Sequence, residues 1–303
     1  MNGEVMHMSV DESIAAIQTY KKETGKTQTI IAKELDVSPA MLSSFLAGTY
    51  KTPHTLVPKI EQLLNIAEKK EIAPVEPDFV KTTVSEMVIN TISYCHIQGK
   101  IAVVYGDAGV GKTMAINEYC RRNNLAIKIT IAPSYSSMSG VNELLAEKLG
   151  VRERVSRKIY SEIITKLKDS GRVIIIDEAQ HLTVRTLNHI RCLADESGIG
   201  VALIGNDEVY TKMKGSGRAD FAQLFSRIGM RKQVLTSTNS RDDVKNVFCS
   251  VPDDESIEIL YRISRTAYGL RGAVNVYINT VAVFGMIDAP KIARMAKEMN
   301  IGG

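Results

Sequence analysis

The chain has 303 residues, 44% of them hydrophobic, and a formal net charge of +4. This is the composition of a folded polypeptide of two or three domains, and it excludes a low-complexity or collagen-like chain. Four cysteines (Cys95, Cys120, Cys192, Cys249) are scattered without a CxxC pair, and the five histidines are equally dispersed, so no zinc site is expected and a reducing, cytoplasmic compartment fits.

The first residues lack the basic start and apolar stretch of a signal peptide, and apolar runs such as Ile101–Tyr105 are too short to cross a bilayer. No membrane contact is expected. Charge is unevenly spread: residues 121–235 carry 19 basic and 12 acidic groups, against 6 and 7 in residues 1–65 and 8 and 8 in residues 236–303. The positive field lies mid-chain, where a polyanion would be drawn. A mixed, solvated surface would give the same count.

Residues 11–24 are predicted to form a helix with Ile14, Ile17 and Tyr20 on its apolar face. Thr27 can cap a second helix whose inner face is Ile30, Ile31 and Leu35. After the tight turn Asp36-Val37-Ser38, Pro39 opens a third helix carrying Met41, Leu42, Phe45 and Leu46, and Gly48 ends it. Residues 1–65 thus resemble a helix-turn-helix domain of the Cro/repressor type, with a plain helical hairpin as the alternative. The third helix offers only Ser38, Ser43 and Ser44 as polar groups and no side chain for bidentate base contacts. The domain is therefore expected to bind DNA weakly or by shape, or to contact protein.

Residues 66–82, charged and holding Pro74 and Pro77, read as a linker. From residue 83 continuous apolar strands (101–105, 126–131, 173–177, 201–204, 230–235) alternate with amphipathic helices (112–123, 139–149, 155–169, 183–195, 219–226). That alternation predicts an α/β core over 83–238, a parallel sheet covered on both faces. Residues 239–303 read as a small helical lid of four helices.

Gly106-Asp107-Ala108-Gly109-Val110-Gly111-Lys112-Thr113 has the full phosphate-loop spacing GxxxxGK[ST], between a predicted strand and helix, with Met114 following. Glycines let backbone N–H groups turn in around a β-phosphate and the helix N-terminus adds its dipole. Lys112 would reach the β- and γ-oxygens of ATP, and the Thr113 hydroxyl would bind Mg2+. Downstream, four apolar residues end in Asp177 and Glu178. Asp177 suits Mg2+, held through water, and Glu178 suits a base that orients and deprotonates the attacking water. His181 reads as a capping or packing residue.

These motifs, with ALIGNDEVY (202–210), FAQLFSRIGMR (221–231) and YGLRGAVN (268–275), resemble the AAA+ ATPases and, within them, the family of phage Mu transposition protein B. The resemblance implies an AAA+ core with an all-α lid behind an N-terminal helix-turn-helix domain. It implies an ATP-dependent, non-specific double-stranded-DNA-binding ATPase, stimulated by DNA, that forms helical filaments on target DNA, delivers it to a DDE transposase and stimulates that enzyme. By the same resemblance Asn206 would be the sensor that positions water, and Arg227 the arginine finger offered to a neighbouring subunit, with Arg231 the alternative. Arg271 would be the second sensor, on the lid. Gln180 departs from the aspartate expected within Glu178–His181, which leaves the proposed chemistry untouched.

For DNA, the basic cluster Arg152, Arg154, Arg157 and Lys158 and the loop residues Lys212, Lys214 and Arg218 are the candidates, each as a phosphate contact without base reading. The rival readings are a helicase-loader or secretion-type AAA+ ATPase, and an ATP-switched helix-turn-helix transcriptional regulator.

Overall fold

The computed structural model describes residues 8–72, 76–214 and 226–301, the side chains of 69–72, 213 and 214 excepted. Two compact units divide the chain, Met1–Pro74 and Val75–Gly303.

The first unit holds α1 (Val10–Thr24), α2 (Gln28–Glu34), α3 (Pro39–Leu46) and α4 (Val57–Ile72). Ser9 caps α1 in a reciprocal box with Glu12, Thr27 accepts from the Ile30 N–H, and Ser38 accepts from the Met41 N–H ahead of Pro39. Ile17, Ile31, Leu35, Leu42, Phe45 and Ile60 form its core. Two expectations are corrected. Ile30 is 47% exposed, because Ile31 and Leu35 share the inward face and Ile30 lies one residue off it. Residues 66–72, read as linker, are helical: Ile60, Leu63, Leu64 and Ala67 carry the helical apolar spacing past residue 65, and the charges between them are its solvated side.

The second unit is built on β1 (Ile101–Gly106), β2 (Ala126–Thr130), β3 (Val173–Asp177), β4 (Gly200–Ile204) and β5 (Ile228–Val234), all parallel, in the order β2-β3-β4-β1-β5. Alternate residues of each strand enter opposite layers. Ile101, Val103, Ile174, Ile176, Val201 and Leu203 pack under α7 (Met138–Leu149), α8 (Ser156–Leu167) and α9 (Val184–Ser197). Ala102, Val104, Val173, Ile175, Ala202 and Ile204 pack under α5 (Thr83–Gln98) and α6 (Lys112–Arg122). α10 (Asp207–Lys214) follows β4. The helix expected over 219–226 lies outside the described residues except for residue 226.

Because every strand runs the same way, every βα turn leaves from one edge of the sheet. β4 sits between β1 and β3, so its end at Gly205-Asn206 lies between the loop after β1 and the acids after β3. Beyond β5 come α11 (Arg241–Val247), α12 (Asp254–Ser264), α13 (Gly269–Phe284) and α14 (Ala289–Glu298), around a separate core of Val244, Phe248, Leu260, Ile263, Val276 and Ile292. They belong to the same compact unit as the sheet. No single helix among the described residues is long and apolar enough to span a membrane.

Candidate nucleotide-binding site

The loop Gly106–Gly111 joins β1 to α6. Gly111, at φ 106°, is the N-cap of α6 and supplies no side-chain cap, so the first N–H groups of that helix, with its positive dipole end, are left for an anion. Lys112 arches back over the loop, its ammonium donating to the carbonyls of Gly106 (2.9 Å) and Asp107 (2.5 Å). Burial pushes the Lys112 pKa below its ordinary value, against the opposing pull of Glu178 and Asp177. The lid closes on this loop directly. The Arg271 N–H donates to the Gly109 carbonyl (3.0 Å), and a Cβ at Gly109, whose φ is 73°, would stand 2.6 Å from the Tyr268 carbonyl oxygen. Only glycine meets both the left-handed backbone and that approach.

A polar hinge ties the same parts together. Asp107 accepts from the Thr236 N–H (2.7 Å), and Asn239 accepts from the Val84 N–H (3.3 Å) while donating to the Val110 carbonyl (3.4 Å). Asp243 accepts from the Thr83 N–H (2.9 Å) and hydroxyl (2.8 Å). The phosphate loop, the start of α5 and the entry to the lid therefore share one hydrogen-bond network.

At the end of β3, buried Asp177 accepts from the Thr113 hydroxyl at Oδ2 (3.1 Å) and from the Glu178 N–H at Oδ1 (3.1 Å). Lys128 Nζ of β2 stands 3.4 Å from Asp177 Oδ2. Paired hydroxyl and carboxylate oxygens beside a phosphate loop are the hard donors that a divalent cation takes. Glu178 has φ 56°, a left-handed conformation unusual for a non-glycine residue, and its side chain lines the cavity described below.

Sequence reasoning noted Gln180 only as a departure from the expected aspartate and missed its role. Its buried side chain donates to the Glu178 carboxylate and accepts from the Asn206 N–H (3.3 Å), and its carbonyl accepts from the Lys212 ammonium. A Cβ at Gly205 would stand 2.4 Å from Gln180 Oε1, so the glycine after β4 makes room for this bridge. Its position two residues beyond Glu178, in the turn leaving a buried strand, was the available signal.

A cavity of about 330 Å3 opens here, lined by Ala108, Gly109, Gly111, Lys112, Thr113, Met114, Glu178 and Arg271. Phe79 and Val80 ahead of α5, with Val247, Leu270 and Val274 of the lid, supply apolar wall. Its size lies within the usual range of small-molecule sites. The uncapped helix start and the Thr113–Asp177 oxygen pair fit a nucleotide phosphate group with a divalent cation.

The structure brings together the loop, Asp177, Glu178 and Arg271. Asn206 does not line the cavity; its side-chain oxygen accepts from the Glu208 N–H (2.9 Å) and caps the first turn of α10. Arg227 is exposed just ahead of β5, with Nε 3.6 Å from Asp195, and Arg231 lies within β5 opposite Val103. Arg152 and Arg154 in the α7–α8 connection, and Arg157 and Lys158 in the first turn of α8, are all exposed. Lys212 is turned inward to Gln180 rather than freely outward. The Lys214 side chain and all of Arg218 lie outside the described residues.

The AAA domain family matches residues 96–213. The solved structure of Cdc6p from Pyrobaculum aerophilum superposes with a TM-score of 0.54 at 14% identity, covering 75% of this chain and 70% of that one. Drosophila ORC bound to DNA gives 0.53 at 13%, covering 77% and 65%. At such identities these likenesses establish the fold alone. The DNA transposition protein B of the Mu-like prophage FluMu of Haemophilus influenzae is 31% identical over 273 residues, 87% of this chain and 94% of that protein. The ATP-dependent target DNA activator B of Escherichia phage Mu is 32% identical over 273 residues, 87% of this chain and 86% of that protein. With a core of the AAA class and a likeness that spans 87% of its length, the chain belongs to the Mu transposition protein B family of AAA ATPases.

Proposed function

We propose that the chain is an ATP-hydrolysing protein of DNA transposition that coats target DNA without regard to sequence, delivers it to a transposase and stimulates that enzyme. The observation that carries this reading is the 31–32% identity over 87% of the chain with relatives named for transposition and target DNA activation.

ATP would lie with its phosphates on the loop 106–113 and its base between the Phe79–Val80 segment and the lid residues Leu270 and Val274. Mg2+, held by Thr113 and Asp177, would neutralise charge building between the β- and γ-phosphates. Lys112 leaves its loop carbonyls for the β- and γ-oxygens. Glu178 accepts the proton of the attacking water, and Gln180 holds one side of that carboxylate. Arg271 carries the state of the γ-phosphate to the lid through the contact of its backbone with Gly109. Arg227, exposed and only loosely paired, reaches the ATP of a neighbouring copy, so nucleotide joins copies into a filament and hydrolysis loosens it. The exposed cations 152, 154, 157 and 158 neutralise DNA phosphates.

Electron microscopy of the full chain with ATP and random-sequence duplex DNA tests this reading. Filaments that need ATP and vanish in Lys112→Ala are expected. Equal DNA coating with and without nucleotide would overturn it.

A further inference from the structure

A second cation faces the acid at the end of β3. Lys128 sits two residues before Thr130, which pairs in register with Asp177, so Lys128, Thr130 and Asp177 share one face of the sheet. Lys128 lies on the edge strand, and its side chain is 24% exposed, against 4% for Asp177. Its ammonium stands 3.4 Å from Asp177 Oδ2, the same oxygen that accepts from Thr113, and donates to Asn117 Oδ1 at 2.8 Å. Asn117 follows Thr113 by four residues in α6, one turn on along the same helix face. Lys128 therefore has two acceptors within reach, one part of the candidate metal site and one outside it.

We propose that Lys128 is a built-in competitor of the divalent metal at Asp177, with Asn117 the seat it retires to, so that this pair sets how much metal the nucleotide site requires. The inference rests on the reading of Thr113 and Asp177 as metal ligands. A fixed positive charge beside a buried carboxylate is screened far less than one in open water, so it lowers the affinity of that carboxylate for a second cation. The amide oxygen of Asn117 offers the displaced ammonium a hydrogen bond without a competing charge. Metal binding then becomes an exchange of cations at Asp177 in place of simple filling of an open site.

The test is the Mg2+ concentration that half-saturates binding of a fluorescent, non-hydrolysable ATP analogue to the full chain at fixed pH. Lys128→Met should lower it about tenfold, since the competing charge is gone. Asn117→Leu should raise it severalfold, because Lys128 then has only Asp177 to lean on. The double variant should behave as Lys128→Met alone. Lys128→Arg, which keeps the charge, should stay near the wild-type midpoint. Should K128M fail to fold, Lys128→Gln carries the same expectation.

A merely structural lysine would give a different pattern, with K128M weakening metal binding and thermal stability together. An unchanged or raised midpoint in K128M, or an N117L effect that persists without Lys128, would overturn the inference. Asp177→Asn separates it from the reading beneath it. If D177N loses the metal dependence while K128M shows no shift, only the competition is wrong. If D177N keeps the metal dependence, both are wrong.

Discussion

The phosphate loop and the basic stretch 152–158 lie in the same compact unit, yet different physics fixes them. In the loop, Gly109 is pinned by a positive φ, by the Tyr268 carbonyl and by the Arg271 N–H, and Lys112 by two carbonyls. In the stretch, Arg152, Arg154, Arg157 and Lys158 are exposed, and only their charge and place in the chain define them. A site made from backbone geometry leaves a spacing that few substitutions preserve. A site made from charge leaves only a count, and many arrangements give the same count.

That contrast orders the expected losses. Lys112→Ala removes the cation at the centre of the loop and should abolish nucleotide-dependent DNA binding, read by filter binding with and without ATP. Glu178→Gln should lower ATP turnover by roughly 10²–10⁴-fold while leaving ATP bound and filaments longer-lived; unchanged turnover would remove Glu178 as the base. Gly109→Ala should cost about 1–3 kcal/mol from the left-handed backbone alone, with a further loss from the 2.6 Å approach to Tyr268. Thermal unfolding of the lid and ATP affinity should fall together in that variant.

Single neutralisations at Arg152, Arg154, Arg157 or Lys158 should each weaken DNA binding modestly, equally for all sequences. Each should lower the slope of log affinity against log salt by about 0.9. An unaltered slope in all of them would move the DNA surface elsewhere. The smallest effect concerns stability alone. Hydrogen bonds from Arg121 and then Arg122 hold the Glu118 carboxyl at a pKa of about 2, below its ordinary 4.5. A depressed folded-state pKa stabilises above the unfolded value and loses that contribution as pH falls toward the folded one. Glu118→Gln should therefore be less stable than wild type above about pH 4.5, and the two should converge as pH approaches about 2.

Much of this molecule was legible in its residues because two periodicities and one spacing carry it. The strands at 101 and 173 are near-continuous apolar runs, the one at 126 alternates as an edge strand does, and GxxxxGK[ST] followed by a strand ending at Asp177 with Glu178 next has few other uses. The strand order was not legible, since β4 entering between β1 and β3 is decided by long-range packing rather than by any local pattern. Ile30 and residues 66–72 misled for a local reason: one apolar residue off the helical face, and charges that were the wet side of a continuing helix. Gln180 and Lys128 were barely marked for their roles, which depend on partners 26 and 49 positions away, at Asn206 and Asp177. In the sequence they are an amide in a turn and a lysine in an edge strand.

In the proposed mechanism one copy begins the catalytic site and the next completes it. Mixing two inactive variants, Glu178→Gln and Arg227→Ala, on duplex DNA measures this directly, because some interfaces then pair an intact Glu178 with an intact Arg227 from the adjoining copy. Each variant alone should turn over little ATP, and an equal mixture should recover about a quarter of wild-type turnover, the share of complete sites in a random head-to-tail assembly. Full turnover by Arg227→Ala alone, or a mixture as inactive as its components, would contradict it.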